Sequence, residues 1–286
     1  GEYDEAERIH REDALPVYER LGDIRSEALT WGKLADLAER RGEYAEAERI
    51  HREIVLPVFE RLGDVREAAV TWVRLADLAE QRGEYDEAER IHREDALPVY
   101  ERLGDIRSEA LTWRRLADLA ERRGEYAEAE RIHREIVLPV FERLGDVRSV
   151  AVVWGRLADF AQRRGDYDEA AHLQNQRLDE NTKLGDLDGI AAARWDLAQT
   201  DLARQDRKSA LPNIVEAFQI LRQIQRADGI AVVGITLGAL LLADDQHDLA
   251  REVLTESLSA ARKIGADELI TAAQQLLDQA GGSENQ

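Results

Sequence analysis

The stretch "TWGKLADL" at residues 30–37 decides the fold, because it returns as "TWVRLADL" at 71–78, "TWRRLADL" at 112–119 and "VWGRLADF" at 153–160. A second stretch, "GEYDEAERIHRE", begins at residues 1 and 83, and its variant "GEYAEAERIHRE" begins at 42 and 124. The repeat length is therefore 41 residues, and looser copies begin at Gly165, Gln205 and Asp245. Self-similarity at this length predicts a stack of equivalent helical or strand units.

Each unit contains the pattern of two helices. In 23–41 an apolar stripe runs along one helical face, and its members are Ile24, Ala28, Trp31, Ala35 and Ala38. We call this helix A, and the helix predicted over about 44–62 helix B. Gly63 is expected to end helix B in the left-handed conformation, and Asp64 to cap the next helix A. The chain is therefore predicted to be all-α.

A proline recurs at one position inside helix B, as Pro16, Pro57, Pro98 and Pro139. An interior proline removes a backbone hydrogen bond and bends a helix. We therefore expect a bend in each of these helices, which would contribute to the curvature of the stack.

These repeats resemble the tetratricopeptide repeat family, in a long form of 40–42 residues found in bacteria. The matching residues are Trp31, Leu34, Ala35 and Ala38 in helix A, and Gly42, Tyr44 and Ala47 in the turn and helix B. The resemblance implies a right-handed α-solenoid, or superhelix, of about seven antiparallel helix pairs, with A helices lining a concave groove. We expect one continuous array over 1–280, with near-identical repeats in 1–164, diverged repeats in 165–280, and a flexible tail at 281–286.

The charge of the chain restricts its partners. The 286 residues include 59 Asp and Glu against 39 Lys and Arg, a net charge of −20. Such a surface repels nucleic acid and anionic membranes, and it favours basic or neutral partners. The most apolar run, 229–243, is shorter than the roughly 20 residues of a spanning helix, so we expect a buried core helix there. The chain has no Cys, no visible signal peptide and no initiating Met, so we expect a cytoplasmic segment of a longer protein.

The two double repeats, 1–82 and 83–164, differ at nine positions, and all nine fall in predicted A helices. The most variable slot follows the repeated Trp and holds Gly32, Val73, Arg114 and Gly155. A packed core position does not tolerate that range of sizes. We therefore predict that this slot faces the groove and contacts a ligand, although drift at exposed positions would also explain its tolerance.

Two rows of charged residues accompany the slot. The basic row is Lys33, Arg74, Arg115 and Arg156, and the acidic row is Asp36, Asp77, Asp118 and Asp159. At a spacing of three residues they can pair within each helix, or they can offer both charges to a peptide. Trp195 is displaced into the variable slot and is a candidate ligand anchor, whereas Trp31, Trp72, Trp113 and Trp154 are predicted to pack in the core.

The sequence offers little support for catalysis. His10, His51, His92 and His133 recur in Glu-x-x-His, but successive B helices would each carry a separate copy, so packing is favoured over a metal site. No phosphate-binding glycine loop or zinc motif is present, and no nucleophile–base set can be assembled. We predict no cofactor, no metal and no enzymatic activity.

These observations predict a module that binds a protein or peptide. Near-identical repeats with localised variation are similar to the sensor arrays of bacterial NLR-like signalling ATPases, and the resemblance implies a ligand-sensing role in a larger protein. Two alternatives stay open: a homotypic scaffold that associates through its terminal repeats, and an engineered repeat array without a natural ligand.

Overall fold

In the computed structural model, which describes residues 2–282, fourteen helices and no strands are present among those residues. The A helices are α2 (Ile24–Arg40), α4 (Val65–Gln81), α6 (Ile106–Arg122), α8 (Val147–Arg163), α10 (Leu187–Ala203), α12 (Ala227–Ala243) and α14 (Asp267–Gly282). Three B helices are α-helical throughout: α9 (Tyr167–Leu184), α11 (Arg207–Gln223) and α13 (His247–Ile264). The prediction of an all-α solenoid of about seven helix pairs is confirmed.

The other four B helices contain a π-helical segment between two α-helical segments. They are α1 (Glu2–Arg8, Ile9–Ala14, Leu15–Leu21), α3 (Tyr44–Ile50, His51–Val55, Leu56–Leu62), α5 (Tyr85–Arg90, Ile91–Ala96, Leu97–Leu103) and α7 (Tyr126–Ile132, His133–Val137, Leu138–Arg143). Each recurrent proline lies just after the π-helical segment, at the start of the third segment. The wider π turn alters the hydrogen-bond ladder where proline has no N–H to donate.

The helices form two compact units, one ending at Leu144 and the other beginning at Gly145. The predicted single array over 1–280 stays a prediction. The last helix continues to Gly282, and the remaining residues of the predicted tail, 283–286, lie outside the described residues.

The turns between B and A helices form as predicted. Gly63 ends α3 with a φ of 66°, and the Asp64 carboxylate accepts a hydrogen bond from the Glu67 backbone N–H at 3.3 Å. In the diverged repeats, Gln205 replaces the glycine of the turn from α10 to α11, and Gln225 replaces that of the turn from α11 to α12. They adopt left-handed φ values of 62° and 57°. The backbone geometry of the turn is therefore kept even where the residue that favours it is lost.

The core consists mainly of small and aliphatic side chains of the A helices against the B helices. The apolar run 229–243 forms most of α12, in which Ile230, Val233 and Leu237 are buried. Gly234 allows close packing there, because an added Cβ would lie 2.0 Å from the Ser257 Oγ of α13. Within the described part of the chain, no helix is long and apolar enough to cross a membrane.

Candidate functional site

Cavities lie between successive A helices, and residues of the intervening helix B also line each of them. The first cavity, of about 190 Å³, lies between α2 and α4. Its polar lining comes from α2 (Lys33 and Asp36), α3 (His51) and α4 (Glu67, Thr71 and Arg74). Gly32 also lines it, and nothing lies within 4 Å of where a Cβ at this glycine would be.

The second cavity, of about 290 Å³, is the same site one repeat later. It lies between α4 and α6, where Val73, Asp77 and Tyr100 take the places that Gly32, Asp36 and Phe59 have in the first cavity. Arg114 and Arg115 of α6 line its other wall. The repeat therefore produces a cavity with a constant frame and a changing lining.

The third cavity, of about 280 Å³, lies in the second unit between α10 and α12. Trp195 lines it from α10, Leu221 from α11, and Val232 and Val233 from α12. Leu221 lies five residues before Arg226, the N-cap residue of α12. Phe59 and Tyr100 lie equally far before the N-cap residues of α4 and α6. The third cavity therefore occupies the same position of the repeat as the first two. Its lining has a larger apolar share, together with the charged residues Asp188, Arg226 and Asp228.

The four residues of the variable slot therefore differ in their burial. Gly32, Val73 and Arg114 are half-buried and line cavities. Gly155 is buried, because the Arg177 side chain of α9 covers it, with Nη1 3.2 Å from where a Cβ would be. The expectation that the whole slot faces solvent or a ligand is wrong at Gly155.

The nine variable positions do not all lie on one surface of the A helices: some line cavities and others are buried in the core. Five of them line a cavity in the first unit: Gly32, Lys33, Glu67, Thr71 and Val73. Two others are buried in both copies, as Ala68 and Val150 and as Leu78 and Phe160. The variation is confined to A helices, but not to one face of them, so part of it reflects repacking of the core.

The basic and acidic rows meet between repeats. Arg115 of α6 forms a salt bridge through Nη1 with Asp77 Oδ1 of α4, 38 residues earlier. Burial raises the pKa of Asp77 to about 6, although Arg115 and Arg74 act to lower it. Of the other members of the two rows, four are exposed: Lys33, Arg74, Arg156 and Asp159. Asp36 and Asp118 are half-buried.

The repeated histidines lie at the π-helical segments. His51, His92 and His133 are buried, and His10 is half-buried. Burial lowers the pKa of His51 and of His92 to about 4, and Arg115 adds to this effect at His92. Neither ring nitrogen of His92 has a hydrogen-bond partner. Among the described residues, no group of three or more His, Asp or Glu side chains could hold a metal ion.

The tryptophans are partly buried. Trp31, Trp72, Trp113 and Trp154 are half-buried, and Trp72 packs beside Ala69, Ala96 and Tyr100. The Arg11 guanidinium lies over the ring of Trp31, and that of Arg93 over Trp113, each with 5.6 Å between Cζ and the ring centre. Trp195 is half-buried as well, and it packs against the core of the second unit while lining the third cavity.

Sequence reasoning missed the residues at the base of the cavities. Tyr100 and Leu221 are buried core residues of B helices, and each lines a cavity. Their common position five residues before the cap of the next A helix is the sequence signal that would have identified them.

Comparison with known proteins identifies the class of repeat. A tetratricopeptide repeat model matches residues 67–137, which confirms the resemblance to that family. No curated protein sequence matches the chain. The signature of helix A and the helix-pair architecture agree with this class.

Solved structures share the fold. A signal transduction ATPase with numerous domains from Pyrococcus horikoshii, with a tetratricopeptide repeat sensor, superposes with a TM-score of 0.74 at 16% identity. The match covers 97% of this chain and 43% of that protein. BtubC (BKLC) from P. vanneervenii has a TM-score of 0.66 at 22% identity, covering 78% of this chain and 91% of its own. The apo quorum sensor NprR from B. thuringiensis has a TM-score of 0.62 at 11% identity, covering 94% and 81%.

Proposed function

We propose that this chain is a non-catalytic module that binds a protein or peptide through the cavities between its A helices. The observation that carries the proposal is their recurrence at one position of the repeat, with linings that differ in their charged residues and in their apolar share. Within the first unit, where two of the cavities follow one another, a constant frame with changing linings suits an extended ligand whose successive side chains enter both cavities.

The size of the cavities supports this reading. Each holds between about 190 and 290 Å³, below the roughly 300–1,000 Å³ of sites for small molecules. One or two amino-acid side chains fit such a volume. The half-buried Trp195 offers a large, rigid contact surface in the third cavity.

A sensor role is the finer part of the proposal. Two similar structures are described as a tetratricopeptide repeat sensor of a signalling ATPase and as a quorum sensor. We propose by analogy that this array acts in the cytoplasm as the ligand-sensing segment of a larger signalling protein.

Selection from a random library of twelve-residue peptides, followed by calorimetry on the enriched peptides, tests the binding proposal. Gly32→Phe fills the first cavity, and Val232→Glu places a charge in the third. Arg102→Ala, on an exposed position of α5, is the control. We expect at least one cavity variant to weaken binding by about tenfold, or ~1.4 kcal/mol, with the control unchanged. A library without enriched peptides, or equal affinity for all variants, would refute the proposal.

A further inference from the structure

The second cavity differs in charge from the chain that contains it. Its charged lining consists of Arg74, Arg114 and Arg115 against the single carboxylate of Asp77. The whole chain has a net charge of −20. The second cavity therefore has an excess of positive charge, although the chain as a whole is acidic.

Only one of the three guanidinium groups is neutralised. Arg115 pairs with Asp77, whereas Arg74 and Arg114 form no hydrogen bond or ion pair with any residue that the structure describes. Two of the three hydroxyl groups in the lining already donate hydrogen bonds: Ser108 Oγ donates to Asp105 Oδ2, and Thr112 Oγ1 donates to the Ser108 carbonyl, each at 2.9 Å. Arg74 lines the first cavity as well, so Arg114 and the Tyr100 hydroxyl are the donors that belong to the second cavity alone.

The first cavity provides an internal comparison, because it has the same frame and balanced charge. Lys33 and Arg74 are opposed there by Asp36 and Glu67. At the equivalent positions one repeat later, Ser108 replaces Glu67, and Arg114 replaces Val73. These two replacements remove one negative charge and add one positive charge, which produces the excess in the second cavity.

We propose that the second cavity binds the side-chain carboxylate of an acidic residue in the peptide ligand; this inference rests on the function proposed above. Half-buried Arg114 presents a planar set of donors, and a carboxylate accepts two parallel hydrogen bonds from such a group. The acidic chain favours ligands that are basic or neutral overall, so the ligand combines one acidic residue with neutral or basic neighbours.

The test uses a random library of twelve-residue peptides, selected separately on the native chain, Arg114→Gln and the control Arg102→Gln. We expect Asp or Glu to be enriched at one position with the native chain and the control, and this preference to disappear with Arg114→Gln while peptides are still selected. Glutamine is a good helix former, so Arg114→Gln should fold as the native chain does, which circular dichroism checks.

A double-substitution cycle makes the result quantitative. Changing the enriched Glu of a selected peptide to Gln should weaken binding to the native chain by about tenfold and to Arg114→Gln by less than about twofold. Selected peptides without an acidic preference, or an equal loss in both proteins, would overturn this inference alone. A failure to select any peptide would overturn the proposed function and this inference together.

Discussion

The buried histidine of α5 makes the first unit sensitive to acid. His92 is fully buried, neither of its ring nitrogens has a hydrogen-bond partner, and burial lowers its pKa from an ordinary 6.5 to about 4. The unfolded chain takes up a proton near pH 6.5, whereas the folded chain does so only near pH 4. Because the unfolded state binds more protons between these values, stability is present above pH 6.5 and falls as the pH drops toward 4.

The size of the effect follows from the two pKa values of His92. Between pH 7 and pH 4.5, the shift lowers the free energy of unfolding by about 2–3 kcal/mol. Asp77 acts in the opposite direction, because burial raises its pKa to about 6 and the folded state then binds more protons between its ordinary 3.8 and 6. This contribution cancels when two proteins that both contain Asp77 are compared at the same pH.

The assay is urea unfolding at pH 7 and pH 4.5, followed by tryptophan fluorescence, on the native chain and on His92→Leu. We expect the free energy of unfolding of the variant to fall by about 2–3 kcal/mol less than that of the native chain between the two pH values. His10→Leu is the matched control, because His10 has the same repeat position but is only half-buried, so its change should be smaller. Equal pH dependence of the native chain and His92→Leu would refute the reasoning.

Three further substitutions test the packing and the turns by urea unfolding. Gly234→Ala should destabilise the chain by about 1–3 kcal/mol, because its Cβ would lie 2.0 Å from Ser257 Oγ; a neutral effect would contradict the close packing. Gly32→Ala should stabilise it by about 0.5–1 kcal/mol, since the site is open and alanine favours a helix; a loss of stability would show that the site is closed. Gln205→Gly should stabilise it by about 1 kcal/mol, because Gln205 has a φ of 62°, and an unchanged midpoint would argue against backbone strain there.

The regular features of the fold were predictable because the repeat shows them several times. The glycine of the turn and the Asp64 cap depend on neighbouring residues, and the structure has them as expected. Of the helix A stripe, Ala28, Ala35 and Ala38 are buried as predicted, whereas Ile24 is exposed. The π-helical segments were not predicted. The recurrent prolines indicated a bend, but the form it takes depends on how the whole helix packs.

The candidate site was predictable only in part, because its details depend on residues from other helices. The slot after the repeated Trp was placed correctly on helix A, but long side chains decide whether it is open. Arg177 closes it over Gly155, and no local pattern shows that a residue 22 positions later does so. The pairing of Arg115 with Asp77 likewise joins two repeats, whereas the sequence pattern suggested pairing within one helix.

The central claim is that a ligand lies in the cavities between successive A helices, and site-specific photo-crosslinking measures this most directly. A p-benzoylphenylalanine is placed at Val73, which lines the second cavity, or at Arg102, which is exposed on α5. Each protein is then irradiated with a peptide selected on the native chain, and the crosslinked fraction is measured by mass spectrometry. We expect strong crosslinking from position 73 and only background from position 102. The reverse pattern, or equal yields, would contradict binding of the ligand in these cavities.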